Sequence, residues 1–518
     1  MGKAKFIKVE EAVALVKDGM TIATEGFVGS ALPEYVNSAI EKSFLETGSP
    51  KDLTLFHAAG IGSRDGSGAD RFGHEGMLKR VIAGHYNLAP NIGQLIIDNK
   101  IEAYNLPQGT ISHMFRDAAA GRVGTITHVG LGTFVDPRID GGKISSKTTE
   151  DIVEIINIKG QDKILYNSPK IDVAVIRGTY ADENGNVTME HEVFSGEATS
   201  IAQATKNAGG IVIVQVKKAV ANGSLDPKLV KIPGICVDYV VVCTDDTKHE
   251  QYKGTYWNPA LSGQCRMPLG DIPAPKLDAK KIIGRRAAME LTEGSTVNLG
   301  IGAPEFISMV ANEEGIGDYM TLTVESGPIG GVPQGGAGFG SAINPEAILD
   351  QGYQFDFYDG GGLDLAFLGL AQTDAAGNIN VSKFGPRVAG CGGFINITQN
   401  SKKVFFCGTF TAGGLKTSIK DGKLVIDQEG KEVKFLKEVE HVTFSGKYAR
   451  EIKQPVRYFT ERAVFELRED GMYLIEVAPG IDTKTQILDL MEFEPKMDGE
   501  PKLMDARIFV DAPMGLKK

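Results

Sequence analysis

Apolar positions change their period along this chain, and the changes outline a fold. Val9 to Lys17 carries apolar residues at helical spacing, which predicts a short amphipathic helix, and 20-MTIATEG-26 then reads as a strand. Further on, 171-IDVAVIRGTY-180, 210-GIVIVQV-216 and 238-DYVVVC-243 are short apolar runs rich in β-branched residues, separated by helix-length segments. Such runs suit strands buried on both faces of a parallel sheet, so the expected class is α/β. The pattern breaks at 266-RMPLGDIPAPKLDAKK-281, where Pro268, Pro273 and Pro275 interrupt helix and sheet alike. The expected division is a domain over 1–270, a linker over 271–280 and a second domain over 281–518.

The second half repeats the first. Gly294 follows Gly19 by 275 positions, and Pro304-Glu305-Phe306 answers Pro33-Glu34-Tyr35. Asp172, Ala174, Asp182, Gly185, Asn186 and Val212 each recur 192 positions later. One offset shared across a strand, a turn and the next strand indicates two related open α/β halves. The difference between the offsets leaves about 80 residues of the first half unmatched, expected between Phe27 and Asp172. Two such halves favour an active site in the cleft between them, at the carboxyl ends of parallel strands.

Composition narrows the classes. With 518 residues the chain exceeds one ordinary core, and 42% hydrophobic with 23% charged residues is the balance of a soluble globular protein. A net charge of −11 without a basic stripe argues against nucleic acid as a partner. Cys236, Cys243, Cys265, Cys391 and Cys407 form no CxxC pair, so neither a disulfide scaffold nor a zinc site is expected. The N-terminal residues lack a secretory h-region, and no apolar run reaches the roughly 18 residues of a membrane helix. A cytoplasmic location is expected.

Candidate chemistry concentrates around glycines. In 324-VESGPIGGVPQGGAGFGS-341, Glu325 ends the strand-like 320-MTLTVE-325 and is followed by bare backbone. A carboxylate there suits a nucleophile or base that a substrate approaches closely; the alternative is a helix-capping acid after a strand. In 389-AGCGGF-394, successive glycines can converge backbone N–H groups on an oxyanion, or simply form a bend. Gln108 in 105-NLPQGT-110 can offer an amide to the same oxygen. The turn 300-GIGAPE-305 can present N–H groups to a phosphate, yet lacks the third glycine of a dinucleotide fingerprint, as does 26-GFVGSALPE-34. Lys416, after 407-CGTFTAGG-414, can meet a phosphate or be a solvated lysine. Most of the eight histidines are expected in surface or turn positions, with no metal cluster. His74-Glu75 lacks a second histidine at Leu78, and no serine hydrolase elbow is present. Asp356, Asp359 and Asp364 are read as structural.

Taken together, 324-VESGPIGG-331, 389-AGCGGF-394, 105-NLPQGT-110 and 404-VFFCGTFTAGGLK-416 resemble the class I coenzyme A transferases, and among them the single-chain propionate and acetate CoA-transferases. The resemblance runs from 26-GFVGSALPE-34 to 477-VAPGID-482. It implies that Glu325, in the second half, attacks an acyl-CoA thioester, and that Gly392 and Gly393 lend N–H groups to the oxyanion. It implies that Gln108 helps form that hole or orients the substrate. Gly300, Gly302, Asn380 and Lys416 are implied on the CoA side. The glycines after Glu325 would then give CoA room. The implied reaction exchanges CoA between a short-chain acyl-CoA and a free acid (acetate, propionate, butyrate or lactate) by ping-pong through a glutamyl-CoA thioester. CoA is a substrate, no resident cofactor or metal is implied, and the family implies a homo-oligomer, often a tetramer. An acyl-CoA hydrolase or a non-catalytic acyl-CoA-binding protein on the same scaffold are the alternatives; a dinucleotide dehydrogenase fits least.

Overall fold

A computed structural model describes residues 4–269 and 274–517; of the expected linker, 271–273 lie outside the described residues. The chain forms two compact α/β units. The first gathers Met1–Met267, Val324–Asp356 and Phe384–Asn396; the second gathers Pro268–Thr323, Phe357–Lys383 and Ile397–Lys518. The units are therefore not the contiguous halves expected from the sequence. Two segments of the second half, including the one that carries Glu325, pack into the first unit. The reason is apolar burial: Phe339, Ile343 and Ile348 lie against Phe27, Ala59, Val193 and Phe194, while Cys391 and Ile395 join the core around Phe56 and Phe115.

In the first unit the main strands are β1 (Thr21–Thr24), β2 (Leu53–His57), β3 (Leu78–Ala83), β4 (Glu102–Asn105), β5 (Val173–Asp182), β6 (Ile211–Val220) and β7 (Tyr239–Val242). They lie parallel in the order β7-β6-β5-β1-β2-β3-β4. The principal helices are α1 (Glu34–Thr47), α2 (Gln108–Ala119) and α3 (Ala198–Asn207). Strand alternation in β5 sends Ala174 and Ile176 to the face that holds Ile201 and Ala202 of α3. Val173 and Val175 face the other layer, with Val36 and Ile40 of α1. Both faces are covered, which is why the strand runs read as continuously apolar.

In the second unit, α4 (Ala279–Ala288) and α5 (Glu305–Glu313) flank β8 (Ser295–Leu299), β9 (Met320–Thr323), β10 (Leu365–Gly369), β11 (Lys403–Cys407) and β12 (Val456–Phe459). The parallel order is β9-β8-β10-β11-β12, and antiparallel β13 (Ala463–Arg468) and β14 (Gly471–Val477) follow.

The sequence repeat reappears as register. In the first unit Ile22 pairs with Val173 and Ala174 with Val212; in the second, Val297 pairs with Leu365 and Ala366 with Val404. Each residue of the second set is its first-unit counterpart displaced by the sequence offsets. The side chains repeat too. The carboxylate of Asp172 accepts the N–H of Thr21, and that of Asp364 accepts the N–H of Thr296, both at 2.9 Å. Asp182 accepts from the backbones of Asn184 and Asn186 and from the Asn186 amide, as Asp374 does from Ala376 and Asn378. The unmatched stretch of the first half contains β3, β4, α2 and a small antiparallel sheet of Gly124–Thr127, Gln161–Asn167 and Val153–Ile158.

Candidate active site

Glu325 sits in a tight turn just beyond β9. The Val324 N–H donates to the Pro328 carbonyl at 3.0 Å, and the Gly327 N–H returns to the Val324 carbonyl at 3.0 Å. Gly327 has φ +130°, and a Cβ there would lie 2.0 Å from the Leu349 carbonyl oxygen, so only glycine fits. The buried Ser326 hydroxyl donates to the Gly340 carbonyl, fixing the side of the turn opposite Glu325. At Gly340 a Cβ would lie 2.4 Å from the Phe27 ring. These glycines are thus demanded by the packing of the segment on itself and on Phe27. The expectation that they leave room for CoA is corrected at Gly327 and Gly340, where protein atoms already fill the space.

The glycine loop 389–393 docks on the carboxyl ends of β3 and β4. The Tyr86 N–H donates to the Ala389 carbonyl, and the Cys391 N–H donates to Asn105 Oδ1 at 2.9 Å. Asn105 also donates its amide to the Ala83 and Gly84 carbonyls. This fully buried side chain, the first of the NLPQGT stretch, ties three segments together, a role that no local sequence pattern marks.

Two further bonds decide which glycine is available. The Gly392 N–H donates to the Gly84 carbonyl at 2.7 Å, and the Gly392 carbonyl accepts the N–H of Gln108 at 2.9 Å. Gly392 is therefore committed on both sides and fixes the loop; its expected role as an oxyanion donor is corrected. Among the described residues the Gly393 N–H has no acceptor. A Cβ on Gly393 would lie 3.2 Å from Glu325 Cγ and 3.1 Å from the Phe355 ring, so this glycine is in close contact with the acid.

Gln108 opens α2, directly after Pro107. Pro107 suits the entry to a helix, having no N–H to satisfy. The first N–H groups of α2 are met by the Gly392 carbonyl and, at Gly109, by Asn396 Oδ1 at 3.1 Å. Gln108 is 3% exposed, and its Nε2 is buried with no partner among the described residues. Its Oε1 lies 3.7 Å from where a Cβ on Gly392 would be. A buried amide donor without an acceptor is costly unless something binds there. Gly393 N–H and Gln108 Nε2 thus supply two open donors from one loop and the helix start bonded to it.

Burial pushes the Glu325 carboxyl up to about 7 although the residue keeps some exposure; no cationic side chain pairs with it among the described residues. Burial also pushes the Cys391 thiol far above its ordinary range, so this loop cysteine is a thiol and not a nucleophile. His57 and His85 are lowered to about 4 by burial and are neutral. His57 ends β2 and His113 lies on α2, while the other six histidines stand in turns, bends or loops; His57, His113, His249 and His441 are buried and the other four half-buried. Among the described residues no His/Cys/Asp/Glu group can hold a metal ion. Asp356 receives a bidentate Arg116 and Asp364 anchors β8, the structural roles expected of both.

The candidates for the CoA side belong to the second unit. The Gly300 N–H is spent on the Phe367 carbonyl at 2.8 Å, while Gly302, at φ +91°, has open space at its Cβ position. Asn380 is buried, and its amide donates to Gln372 and the Lys383 carbonyl while its oxygen accepts from Ser382 and Lys383. It is a turn anchor, which corrects the expected CoA contact. Lys416 is exposed at the start of a two-stranded ribbon.

The coenzyme A transferase family model matches residues 6–243. The caffeate CoA-transferase of Acetobacterium woodii is 48% identical over 99% of both chains. The acetate CoA-transferase YdiF of Escherichia coli K12 is 44% identical over 99% of this chain and 97% of its own length. Crystal structures of the acyl-CoA transferase YdiF from E. coli O157:H7, 43% identical, superpose with a TM-score of 0.93 for the apoenzyme and 0.92 for a thioester complex with CoA. They cover 99% of this chain and 97% of that one.

Proposed function

As the chain belongs to the coenzyme A transferase family and is an enzyme of that kind, we propose that it moves CoA between short-chain carboxylic acids through a covalent thioester on Glu325. The observation that carries this reading is the pair of open donors, Gly393 N–H and Gln108 Nε2, on one loop and the helix start bonded to it, with the Glu325 side chain against Gly393 and no cation paired with its carboxyl among the described residues. A carboxylate oxygen of Glu325 attacks the acyl-CoA carbonyl, and the oxyanion that forms is met by those donors. The C–S bond breaks, the thiolate leaves, and a mixed anhydride remains. The thiolate then attacks the glutamyl carbonyl, releasing the first acid and leaving CoA as a thioester on Glu325. A second carboxylate runs these steps in reverse. Thioester energy is conserved at each exchange, and the binding of CoA far from the reacting carbonyl helps drive the unfavourable step.

Only an ionised Glu325 can attack, so its raised titration matters: acylation gains rate as the pH rises through about 7. Desolvation also makes the carboxylate a stronger nucleophile when it does ionise. Among similar relatives, one is named for acetate and one for caffeate. We read the acid as a short aliphatic one, acetate, propionate, butyrate or lactate. A panel of acceptor acids assayed with one acyl-CoA donor tests this. Highest kcat/KM among C2 to C4 acids supports it; a preference for caffeate or another aromatic acid overturns it.

A further inference from the structure

α6 (Gln351–Asp359) begins on the same segment as Glu325, 26 positions later. Its first residue closes a buried triangle with α2 and with the residue before α3. The Ser112 hydroxyl, one turn below Gln108, donates to Glu197 Oε1 at 2.6 Å. Gln351 Nε2 donates to the Ser112 hydroxyl at 3.0 Å and also to Glu197 Oε1. The Gln351 N–H donates to the Gly196 carbonyl at 3.1 Å. Ser112 and Gln351 are each 1% exposed and Glu197 is 4% exposed. Ser112 Oγ also lies 3.2 Å from the Gln108 carbonyl. Such a closed set, removed from water, has one low-energy arrangement.

We propose that Glu197 is a positioning residue for the transfer reaction: by accepting from Ser112 and Gln351 at once, it locks the first turn of α2, and with it the Gln108 amide, against the segment that carries Glu325. This rests on the reading of Gln108 as an oxyanion donor. No cationic side chain pairs with Glu197 among the described residues. It is faced by Ser112 from α2, by Gln351 from α6, by Asp350, which holds Lys231 and Ser195, and by Glu25 at the end of β1. Burial pushes its carboxyl up to about 7, which suits a group chosen as a fixed acceptor rather than as half of an ion pair. The consequence for catalysis is geometric, since displacement of a donor by about 1 Å can cost about 10²-fold in rate.

The test is a double-mutant cycle on the full-length enzyme. Glu197→Ala is expected to lower kcat about tenfold or more, with KM for acyl-CoA changed less than about threefold, because the lost interaction acts in the transition state. Glu197→Gln keeps an acceptor and is expected to restore kcat to within about threefold of the parent. In a Gln108→Ala background the Glu197→Ala change is expected to cost less than about threefold, since the group it positions is gone. Ser112→Ala follows the same cycle and serves if Glu197→Ala does not fold. Equal losses in the two backgrounds, or full kcat in Glu197→Ala, would overturn the proposal. If Gln108→Ala alone leaves kcat intact, the oxyanion reading itself fails, and the proposal with it.

Discussion

At the residue scale, three side chains, Glu325, Gln108 and Glu197, and the Gly393 N–H carry the proposed chemistry. Glu325 and Gln108 were legible as candidates because each stands alone in a glycine or proline turn, where a reactive group is conspicuous. Which glycine has an N–H to offer was not legible: nothing local separates Gly392 from Gly393, and only the fold commits Gly392, through its N–H to the Gly84 carbonyl and its carbonyl to the Gln108 N–H. Removal of the Gln108 amide should lower kcat about 10²-fold with little change in KM, measured by steady-state kinetics with saturating acceptor. Glu325 predicts a pH limb. Single-turnover acylation should rise about tenfold per pH unit below 7 and level off above 8, because the protonated acid cannot attack. Glu197 predicts a stability effect of defined sign. Its folded carboxyl holds a proton up to about 7, whereas an unfolded glutamate loses it near 4.5, so the parent loses stability as the pH rises through that window. Glu197→Gln should therefore gain on the parent between pH 5 and 8, by on the order of 2–3 kcal/mol in denaturant unfolding.

At the scale of elements, α2 matters most. Its N-terminus is satisfied by a carbonyl and a side chain from the Phe384–Asn396 segment, and its second residue must be glycine, since a Cβ on Gly109 would lie 2.3 Å from the Phe355 ring. Gly109→Ala should destabilise the protein by about 1–3 kcal/mol through overpacking, and Phe355→Leu should recover part of that loss; both are read from denaturant midpoints. The parallel strands were readable from their β-branched runs, and the repeat from shared offsets, because buried strands leave a strong local signal. The short strands and turns between Val324 and Asp356 left none. Their conformation is set by contacts with residues such as Phe27, nearly 300 positions earlier, which a local pattern does not register.

For the whole molecule, the same long-range burial explains why the compact units differ from the sequence halves. The proline-rich stretch lies where the first run of the first unit ends, at Met267, but apolar residues beyond it return the Glu325 segment to that unit. Duplication gave both units one strand order and register, and what each unit adds lies outside the repeat: α2 and β4 in the first, the glycine turns in the second half. The proposed chemistry thus uses insertions on a doubled scaffold rather than the scaffold itself. The proposed mechanism stands on one covalent species. Enzyme mixed with acyl-CoA and no acceptor, then digested and weighed, should show the peptide carrying Glu325 heavier by one CoA less one water. One equivalent of free acid should be released, and Glu325→Gln should show neither. Free thiol formed steadily without acceptor and without any adduct, or an adduct on another peptide, would contradict it.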